Sequence, residues 1–264
     1  MPTALYENVR VFYEESGSGD PPMLFVHGIG NHTHFAAQVD YFSRSHRVIA
    51  PDLPGFGQSD APELAYGIAT FADVIVWLCD ELDLKGPVVV GHSMAGAVAL
   101  EVAAARPELP SAIVLVDPIP IVPVPTLQTQ RAQLAEALTG RAYREAFRAF
   151  AETRMFRPTD DSELRVRIVD EMCATPQHVL VPTFTSLNQW SGEDIAGRVS
   201  IPLLLITAGD GLPADMARTR ELLPQLEHGR TVGVGHFAHA IAPDQVNAMI
   251  ARFLVTARGV ETPP

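Results

Sequence analysis

The sequence contains few cysteines, few basic residues and no long apolar run, and each scarcity disfavours a class of protein. Its two cysteines, Cys79 and Cys173, lie too far apart in the chain for a disulfide framework or a zinc-ligand spacing. We therefore expect both to be buried packing residues. Lysine and arginine together number 19 against 31 aspartates and glutamates, which gives a formal net charge of −12. This acidic balance disfavours nucleic acid or an anionic membrane surface as a partner.

Apolar residues make up 47% of the 264 residues, but they never form the run of ~18 residues that would span a bilayer. The longest candidate run is interrupted by His92, Ser93 and Glu101. Residues 1–15 carry several charges and lack the apolar core of a secretion signal. We expect a cytoplasmic protein of one large domain or two small ones, which acts on a small molecule as a monomer or homodimer.

Short apolar segments alternate with segments of helical spacing. Predicted strands cover residues 9–14, 22–27, 47–50, 88–90, 111–116, 202–207 and 230–234, and predicted helices cover residues 71–84, 97–106 and 245–256. Continuously apolar strands that alternate with helices indicate an α/β fold with a mostly parallel sheet covered on both faces. Ligands of such sheets bind beyond the carboxyl ends of the strands. The polar residues at or just past these ends are His27, Asp52, Ser93, Asp117, Asp210 and His236.

Residues 118–197 interrupt the alternation, because they contain no convincing strand. Residues 128–156 and 161–173 have helical composition, and the proline-rich residues 118–125 would form a stiff entry to them. We predict a helical cap at 118–197 over a core formed by 1–117 and 198–264. Three large aromatic residues of this segment are candidate substrate contacts, with cap packing as the alternative, and they favour a small to medium hydrophobic substrate: Phe156, Phe184 and Trp190.

The most informative stretch is residues 91–96, Gly-His-Ser-Met-Ala-Gly, between a predicted strand and a predicted helix. A serine on a sharp strand-to-helix turn is typical of a nucleophile elbow, whose small neighbours let the backbone turn tightly. The helix N-terminus that follows favours negative charge beside the hydroxyl. Ser93 is therefore a candidate nucleophile; the alternative is that it only caps the helix.

Several segments, taken in chain order, resemble the α/β-hydrolase fold superfamily. They are His27-Gly28, residues 51–59 (Pro-Asp-Leu-Pro-Gly-Phe-Gly-Gln-Ser), residues 91–96, a cap-sized insertion, an acidic residue after a late strand, and Gly235-His236-Phe237 before the last helix. The resemblance implies an α/β-hydrolase fold: a mostly parallel central sheet flanked by helices, with a helical cap inserted after the sixth strand. The sequence looks most like the cap-bearing esterases, lactonases, carbon–carbon hydrolases and cofactor-free haloperoxidases.

The resemblance also implies a catalytic triad in the chain order serine, acid, histidine. His236 matches the Gly-His-Phe pattern better than nearby His239 does, and it is the expected base. Asp210 is the expected acid, and Asp117 is the alternative. Asp210 follows a late strand where most of the superfamily places this residue, and Asp117 follows the preceding strand, a site that some relatives use. Asp52 is expected to be a structural residue of a tight loop.

By the same resemblance, the backbone N–H groups of Ile29 and Met94 form the oxyanion hole. His27, Gly28 and His92 are further candidate substrate contacts, and His92 is also placed to support the serine turn. No metal-ligand set and no phosphate-binding loop is recognisable, so we expect neither a metal nor a cofactor.

Together these residues predict a serine hydrolase that cleaves a carboxylic ester or lactone through an acyl-enzyme. Because one fold serves many reactions, three alternatives remain open. They are a hydrolase of the carbon–carbon bond of a diketone, a cofactor-free perhydrolase or dioxygenase, and a receptor-like protein that binds a ligand and turns it over slowly.

Overall fold

The computed structural model describes residues 2–209 and 215–257. Within these ranges one sheet is formed by β1 (Thr3–Tyr6), β2 (Val9–Ser16), β3 (Met23–Val26), β4 (Val48–Pro51), β5 (Val88–His92), β6 (Ala112–Val116), β7 (Leu203–Thr207) and β8 (Leu226–Arg230). Their order across the sheet is β1-β2-β4-β3-β5-β6-β7-β8. Strand β2 pairs antiparallel with β1 and β4, and the remaining pairs are parallel. The predicted α/β class with a mostly parallel sheet is confirmed.

The helices of the described residues connect these strands. They are α1 (Ala36–Phe42), α2 (Ile68–Glu81), α3 (Met94–Ala105), α4 (Pro125–Leu138), α5 (Tyr143–Arg154), α6 (Ser162–Cys173), α7 (Gln177–Gln189), α8 (Met216–Leu222), α9 (Ala238–Ile241) and α10 (Pro243–Ala257). In this part of the chain, no helix combines the length and the apolar character that crossing a membrane requires.

Apolar side chains of the sheet alternate between two clusters, one on each face. On β3, Leu24 and Val26 pack in the cluster that contains α2 and α3, whereas Met23 and Phe25 pack in the cluster that contains α1 and α10. Successive strand residues point to opposite faces, so a strand covered on both sides must be apolar at every position. This burial explains why the inner strands read as continuous apolar runs.

The last strand differs from its predicted position. We predicted it at residues 230–234, but β8 covers Leu226–Arg230 and pairs with β7 at the edge of the sheet. Only Leu226 of this strand is buried. An edge strand with exposed side chains has no apolar pattern, so its sequence gave no strand signal.

The fully described segment between β6 and β7 contains α4, α5, α6 and α7, which we call the cap helices. The predicted helical stretch at 128–156 is divided into two helices, because the chain turns at residues 139–142. Helix α4 begins with Pro125, where the missing N–H of proline leaves no intrahelical bond unmade. The predicted domain boundaries at 117/118 and 197/198 stay a prediction.

Candidate active site

Ser93 occupies the sharp turn between β5 and α3. Its backbone has φ 54° and ψ −117°, a combination that residues other than glycine rarely adopt. Such strain persists only where the surrounding structure holds the residue, and it is concentrated at functional sites. The glycines on either side are required for close packing. A Cβ on Gly91 would collide with the Ala95 carbonyl oxygen, and one on Gly96 would lie 2.5 Å from the Cβ of Pro118.

His236 and Asp117 form a buried hydrogen-bonded pair. His236 Nδ1 lies 2.6 Å from Asp117 Oδ2, and the two side chains are 9% and 4% exposed. An ionised carboxylate can only accept, so Nδ1 carries the proton and Nε2 is left as the acceptor nitrogen. The other carboxylate oxygen, Oδ1, accepts the backbone N–H of Ala208 at 2.8 Å. Both oxygens of Asp117 are therefore engaged, and the imidazole is held in one tautomer.

Asp117 reaches this position because it directly follows β6, at φ 41°. Its own N–H donates to the carbonyl oxygen of Ile206 on β7, at 2.7 Å. Since β6 and β7 are neighbouring parallel strands, their carboxyl ends lie side by side. Asp210, the acid expected from the sequence, lies outside the described residues. Among the residues that the structure describes, Asp117 is the carboxylate placed against His236.

A cavity of about 510 Å³ lies between the strand ends and the cap helices, a volume suited to a small-molecule ligand. Ser93 and His236 both line it, and so do Ile29 and Met94, whose N–H groups are the predicted oxyanion hole. Gly28 packs against the nucleophile turn, because a Cβ there would lie 3.0 Å from the Cβ of Ser93. The predicted nucleophile, base and oxyanion-hole residues thus meet at one cavity.

The cap contributes the opposite wall. Phe156 and Phe184 line the cavity together with Phe150 and Leu187. Trp190 is not part of this lining. Its indole Nε1–H donates to Glu101 Oε1 on α3 at 2.9 Å, the kind of partner that an indole N–H needs when the ring is partly buried. Two of the three aromatic candidates therefore face the cavity, and the third joins the cap to the core.

The model of the family described as the alpha/beta hydrolase fold matches residues 21–243 of the sequence. The chain belongs to this family. The resemblance read from the motifs is thereby confirmed. This α/β-hydrolase is 25% identical to the (E)-2-((N-methylformamido)methylene)succinate hydrolase of Acinetobacter baylyi, over 96% of this chain and 97% of that protein.

Other relatives share only part of their length with this α/β-hydrolase. Three uncharacterized proteins of Mycobacterium tuberculosis and Mycobacterium bovis are 37% identical over 119 residues, which is 44% of this chain and 35% of theirs. The chain thus spans about a third of the length of these curated relatives. The non-heme chloroperoxidase of Streptomyces lividans is 35% identical over 45% of this chain and 44% of that protein.

Solved structures extend the likeness to the whole fold. A thermophilic esterase from Thermogutta terrifontis superposes with a TM-score of 0.82 at 25% identity, over 97% of each chain. The enol-lactonase from Burkholderia xenovorans LB400 superposes with a TM-score of 0.84 over 96% of this chain and 100% of that chain. At 20% identity, the second likeness shows a shared fold alone.

His27, a candidate substrate contact, lies outside the cavity lining of this α/β-hydrolase. Its ring is fully buried: Nδ1 donates to the Gly28 carbonyl oxygen at 2.6 Å, and Nε2 accepts the Leu53 N–H at 3.0 Å. Burial lowers the pKa of this imidazole to about 4, so it is neutral near pH 7. His27 instead joins the loop after β3, which carries Ile29, to the loop after β4.

His92, also a candidate substrate contact, is buried behind the site and does not line the cavity. Its Nε2 lies 3.1 Å from the carbonyl oxygen of His236, to which it donates. Its ring packs against that of His239, with centroids 4.2 Å apart. Burial lowers the pKa of both His92 and His239, and the neighbouring histidines lower them further. A neutral His92 thus supports the backbone of His236, whereas the sequence analysis considered a supporting role at the serine turn.

His239 has an unusual environment for a histidine. It is fully buried, and neither ring nitrogen has a hydrogen-bond partner in the part of the chain that the structure describes. Its backbone carbonyl accepts from Gln38 Nε2 at 2.9 Å, a bond that any residue at this position would keep. The imidazole therefore loses its hydration on folding without replacing it.

We expect His239→Leu to stabilise the protein, and to do so more at acidic pH. The unfolded histidine binds a proton below its usual pKa of about 6.5, whereas the buried one resists it, so wild-type stability falls as pH drops below that value. Removing His239 should reduce this loss by up to about 1.4 kcal/mol per pH unit. Urea unfolding at pH 7.5 and pH 5.5 measures the effect. Equal losses for variant and wild type would contradict it.

Asp52 organises the loop after β4 rather than the reacting centre. It accepts the backbone N–H groups of His32 and Gln58, each at 2.7 Å, and its carboxylate lies 2.9 Å from His32 Nδ1. Burial alone would raise the pKa of Asp52, but the hydrogen bond from His32, the nearby His27 and His32 rings and the Gln58 N–H together outweigh burial and lower the pKa. Within the described ranges, no three His, Cys, Asp or Glu side chains are placed to hold a metal ion.

Two features of the site were missed in the sequence. His34 Nε2 lies 2.8 Å from Glu171 Oε2, and this pair joins the loop after β3 to helix α6 of the cap.

Three arginines of the cap segment, Arg131, Arg154 and Arg157, line the cavity. The signal for the arginines was present, because residues 131–157 are rich in arginine within an otherwise acidic chain. A helical composition does not indicate which of these arginines face the cavity, and only the folded cap shows it.

Proposed function

We propose that this α/β-hydrolase is a serine hydrolase that cleaves a carboxylic ester or lactone through an acyl-enzyme. One observation carries the proposal. The Asp117–His236 pair and a strained serine line the same cavity, at the carboxyl ends of neighbouring strands. A serine hydroxyl is a weak nucleophile, and a histidine oriented by a buried carboxylate is the partner that activates it.

Acylation uses the free nitrogen of the base. His236 Nε2 takes the proton from Ser93 Oγ as Oγ forms a bond to the substrate carbonyl carbon. The carbonyl oxygen becomes an oxyanion, which the N–H groups of Ile29 and Met94 stabilise. Met94 is the first residue of α3, so its N–H has no intrahelical acceptor. When the oxyanion collapses, the carbon–oxygen bond to the leaving group breaks, and the proton on Nε2 passes to the leaving oxygen.

Deacylation repeats the steps with water. His236 Nε2 takes a proton from water, whose oxygen bonds to the acyl carbon. The second oxyanion collapses, the bond from the acyl carbon to Ser93 Oγ breaks, and the proton returns from Nε2 to Oγ. The carboxylic acid product leaves. In both halves Asp117 stays ionised and stabilises the imidazolium that forms.

We assign the acid role to Asp117 rather than to Asp210. Asp117 holds the only His236 carboxylate contact within the described residues, and the Ala208 N–H fixes its second oxygen. Such a doubly anchored carboxylate can orient the imidazole without itself moving. Asp210 then has no required part in the proton transfers.

The relatives support the reaction class. The Thermogutta terrifontis structure is an esterase, and the Acinetobacter baylyi relative is a hydrolase; each is 25% identical across nearly the whole chain. The cavity combines aromatic and aliphatic cap residues with the proposed catalytic groups, which suits a small acyl or lactone substrate.

A burst experiment tests the proposal. Mixed with excess p-nitrophenyl butyrate, the protein should release one equivalent of nitrophenolate rapidly and then turn over steadily, because the acyl-enzyme forms before it hydrolyses. Steady turnover that requires oxygen or peroxide would indicate dioxygenase or perhydrolase chemistry. Binding without product release would indicate the receptor-like alternative. Either result would contradict the proposed function.

A further inference from the structure

Arginine side chains are concentrated at the cavity, although the chain as a whole is acidic. The protein has a formal net charge of −12, yet Arg131, Arg154 and Arg157 line this cavity. Among the described lining residues, Asp117 is the only carboxylate, and it is already bonded to His236 and Ala208. Guanidinium groups are therefore gathered at the site where the substrate binds.

Arg131 is the most informative of the three. It lies on α4, and its Nη1 donates to the Leu187 carbonyl oxygen at 3.2 Å. In the described part of the chain its guanidinium forms no other hydrogen bond and no ion pair. A guanidinium has five N–H donors, so most of its donors have no acceptor in this part of the protein.

Apolar surroundings raise the free-energy cost of leaving the Arg131 guanidinium without a partner. Phe150, Phe184 and Leu187 line the same cavity, and burial lowers the pKa of the Arg131 guanidinium. A cation removed from water needs a partner, and arginine stays protonated at all ordinary pH values. Where water is excluded, attraction to an anion is also stronger than at the surface.

Arg154 is a second cation at the cavity. It ends helix α5, lines the cavity, and forms no ion pair with a described residue. Arg148, also on α5, does have such a partner: it is paired with Asp170 of α6 at 2.6 Å. Within the described residues, Arg131 and Arg154 therefore line the cavity without a carboxylate partner.

We propose that the substrate carries a carboxylate besides its scissile bond, and that Arg131 binds this carboxylate with support from Arg154. The inference rests on the proposed function and narrows it to esters or lactones of acidic compounds. Guanidinium and carboxylate match in a bidentate geometry, which fixes the distance between the carboxylate and the carbonyl held at Ser93. The apolar cap residues then contact the carbon chain between the two groups.

A matched pair of esters tests the inference. Monophenyl adipate ends in a carboxylate, and its neutral partner has an isopropyl group in place of that carboxylate. The wild-type protein should have a kcat/KM at least about tenfold higher for the acidic ester, and Arg131→Met should lower this preference roughly tenfold to hundredfold, as loss of a hydrogen bond to a charged group does. Arg131→Lys, which keeps the charge but not the planar fork, should give an intermediate preference.

Two further variants separate a binding role from a folding role. Arg141→Met removes an exposed cation of the cap that does not line the cavity, and it should keep the wild-type preference. Arg154→Met changes a residue whose head is exposed, so it should fold normally and lower the preference in the same direction as Arg131→Met. Equal preferences in all these variants and the wild type would overturn the inference.

Binding measurements distinguish this inference from the proposed function. Calorimetry with Ser93→Ala protein compares the two esters without turnover. If the neutral ester is hydrolysed as well as the acidic one, the carboxylate inference fails and the serine hydrolase remains. If the acidic ester binds more tightly to Ser93→Ala protein but the wild type hydrolyses neither ester, the anion site stands and the proposed function fails. If neither hydrolysis nor a binding preference is seen, both fail.

Discussion

Ser93→Ala should reduce ester turnover by a factor of the order of 10⁶ in kcat, to a residual rate that binding and the oxyanion hole alone supply. The loss is this large because the substitution removes the attacking oxygen itself. His236, Asp117 and the backbone donors all act on a bond that Oγ forms, so they contribute little without it. Steady-state hydrolysis of p-nitrophenyl butyrate measures the change.

The variant offers a clean comparison, because alanine changes one atom of a residue whose backbone is fixed by its neighbours. The Ser93 N–H donates to the Val116 carbonyl at 3.1 Å, and its own carbonyl accepts from Gly96 at 3.0 Å. Ser111→Ala is the matched control. That serine begins the segment before β6, and its hydroxyl bonds to the Gly86 carbonyl far from the cavity lining. Turnover should survive in Ser111→Ala, and undiminished turnover in Ser93→Ala would refute the nucleophile assignment.

Asp117→Asn should lower kcat by about 10⁴, with the fold retained. The carboxylate accepts two hydrogen bonds, from His236 Nδ1 and from the Ala208 N–H. An amide has one oxygen and one NH₂ group, so it can accept only one of these donors and faces the other with its own hydrogens. Either His236 adopts the tautomer with its proton on Nε2, which cannot deprotonate Ser93, or the bond to Ala208 is lost.

The kcat of Asp210→Asn is the control, because it shows whether the loss is specific to Asp117. Both substitutions replace a carboxylate by an isosteric amide. Asp117 follows β6 in the chain, and Asp210 follows the neighbouring strand β7. We expect kcat of Asp210→Asn to stay near the wild-type value. A large loss in Asp210→Asn beside a small one in Asp117→Asn would reverse the assignment of the acid.

The nucleophile could be proposed from sequence because its signals are local. The strand, the small residues and the helix around Ser93 occupy a short run, and Gly91 and Gly96 are needed there for steric reasons that the sequence displays. The acid could not be decided in the same way. Asp117 and Asp210 follow adjacent parallel strands, whose carboxyl ends lie side by side. Which of the two side chains contacts His236 depends on the paths of the loops that begin there.

The remaining gaps have similar physical causes. Strand β8 escaped prediction because an edge strand exposes its side chains and needs no apolar pattern. His27 and His92 looked like substrate contacts because they flank reactive positions, yet each is buried and bonds to backbone of neighbouring loops. The position of Arg131 at the cavity was not predicted, since periodicity on one helix does not reveal what a second helix covers.

Labelling with a fluorophosphonate, followed by peptide mapping, tests whether His236 makes Ser93 nucleophilic. The reagent phosphonylates a serine only where a base has made it nucleophilic. We expect one modified peptide, containing Ser93, in wild-type protein, and no labelling in protein with His236→Ala. A modification at another residue, or none under conditions where the protein hydrolyses an ester, would contradict it.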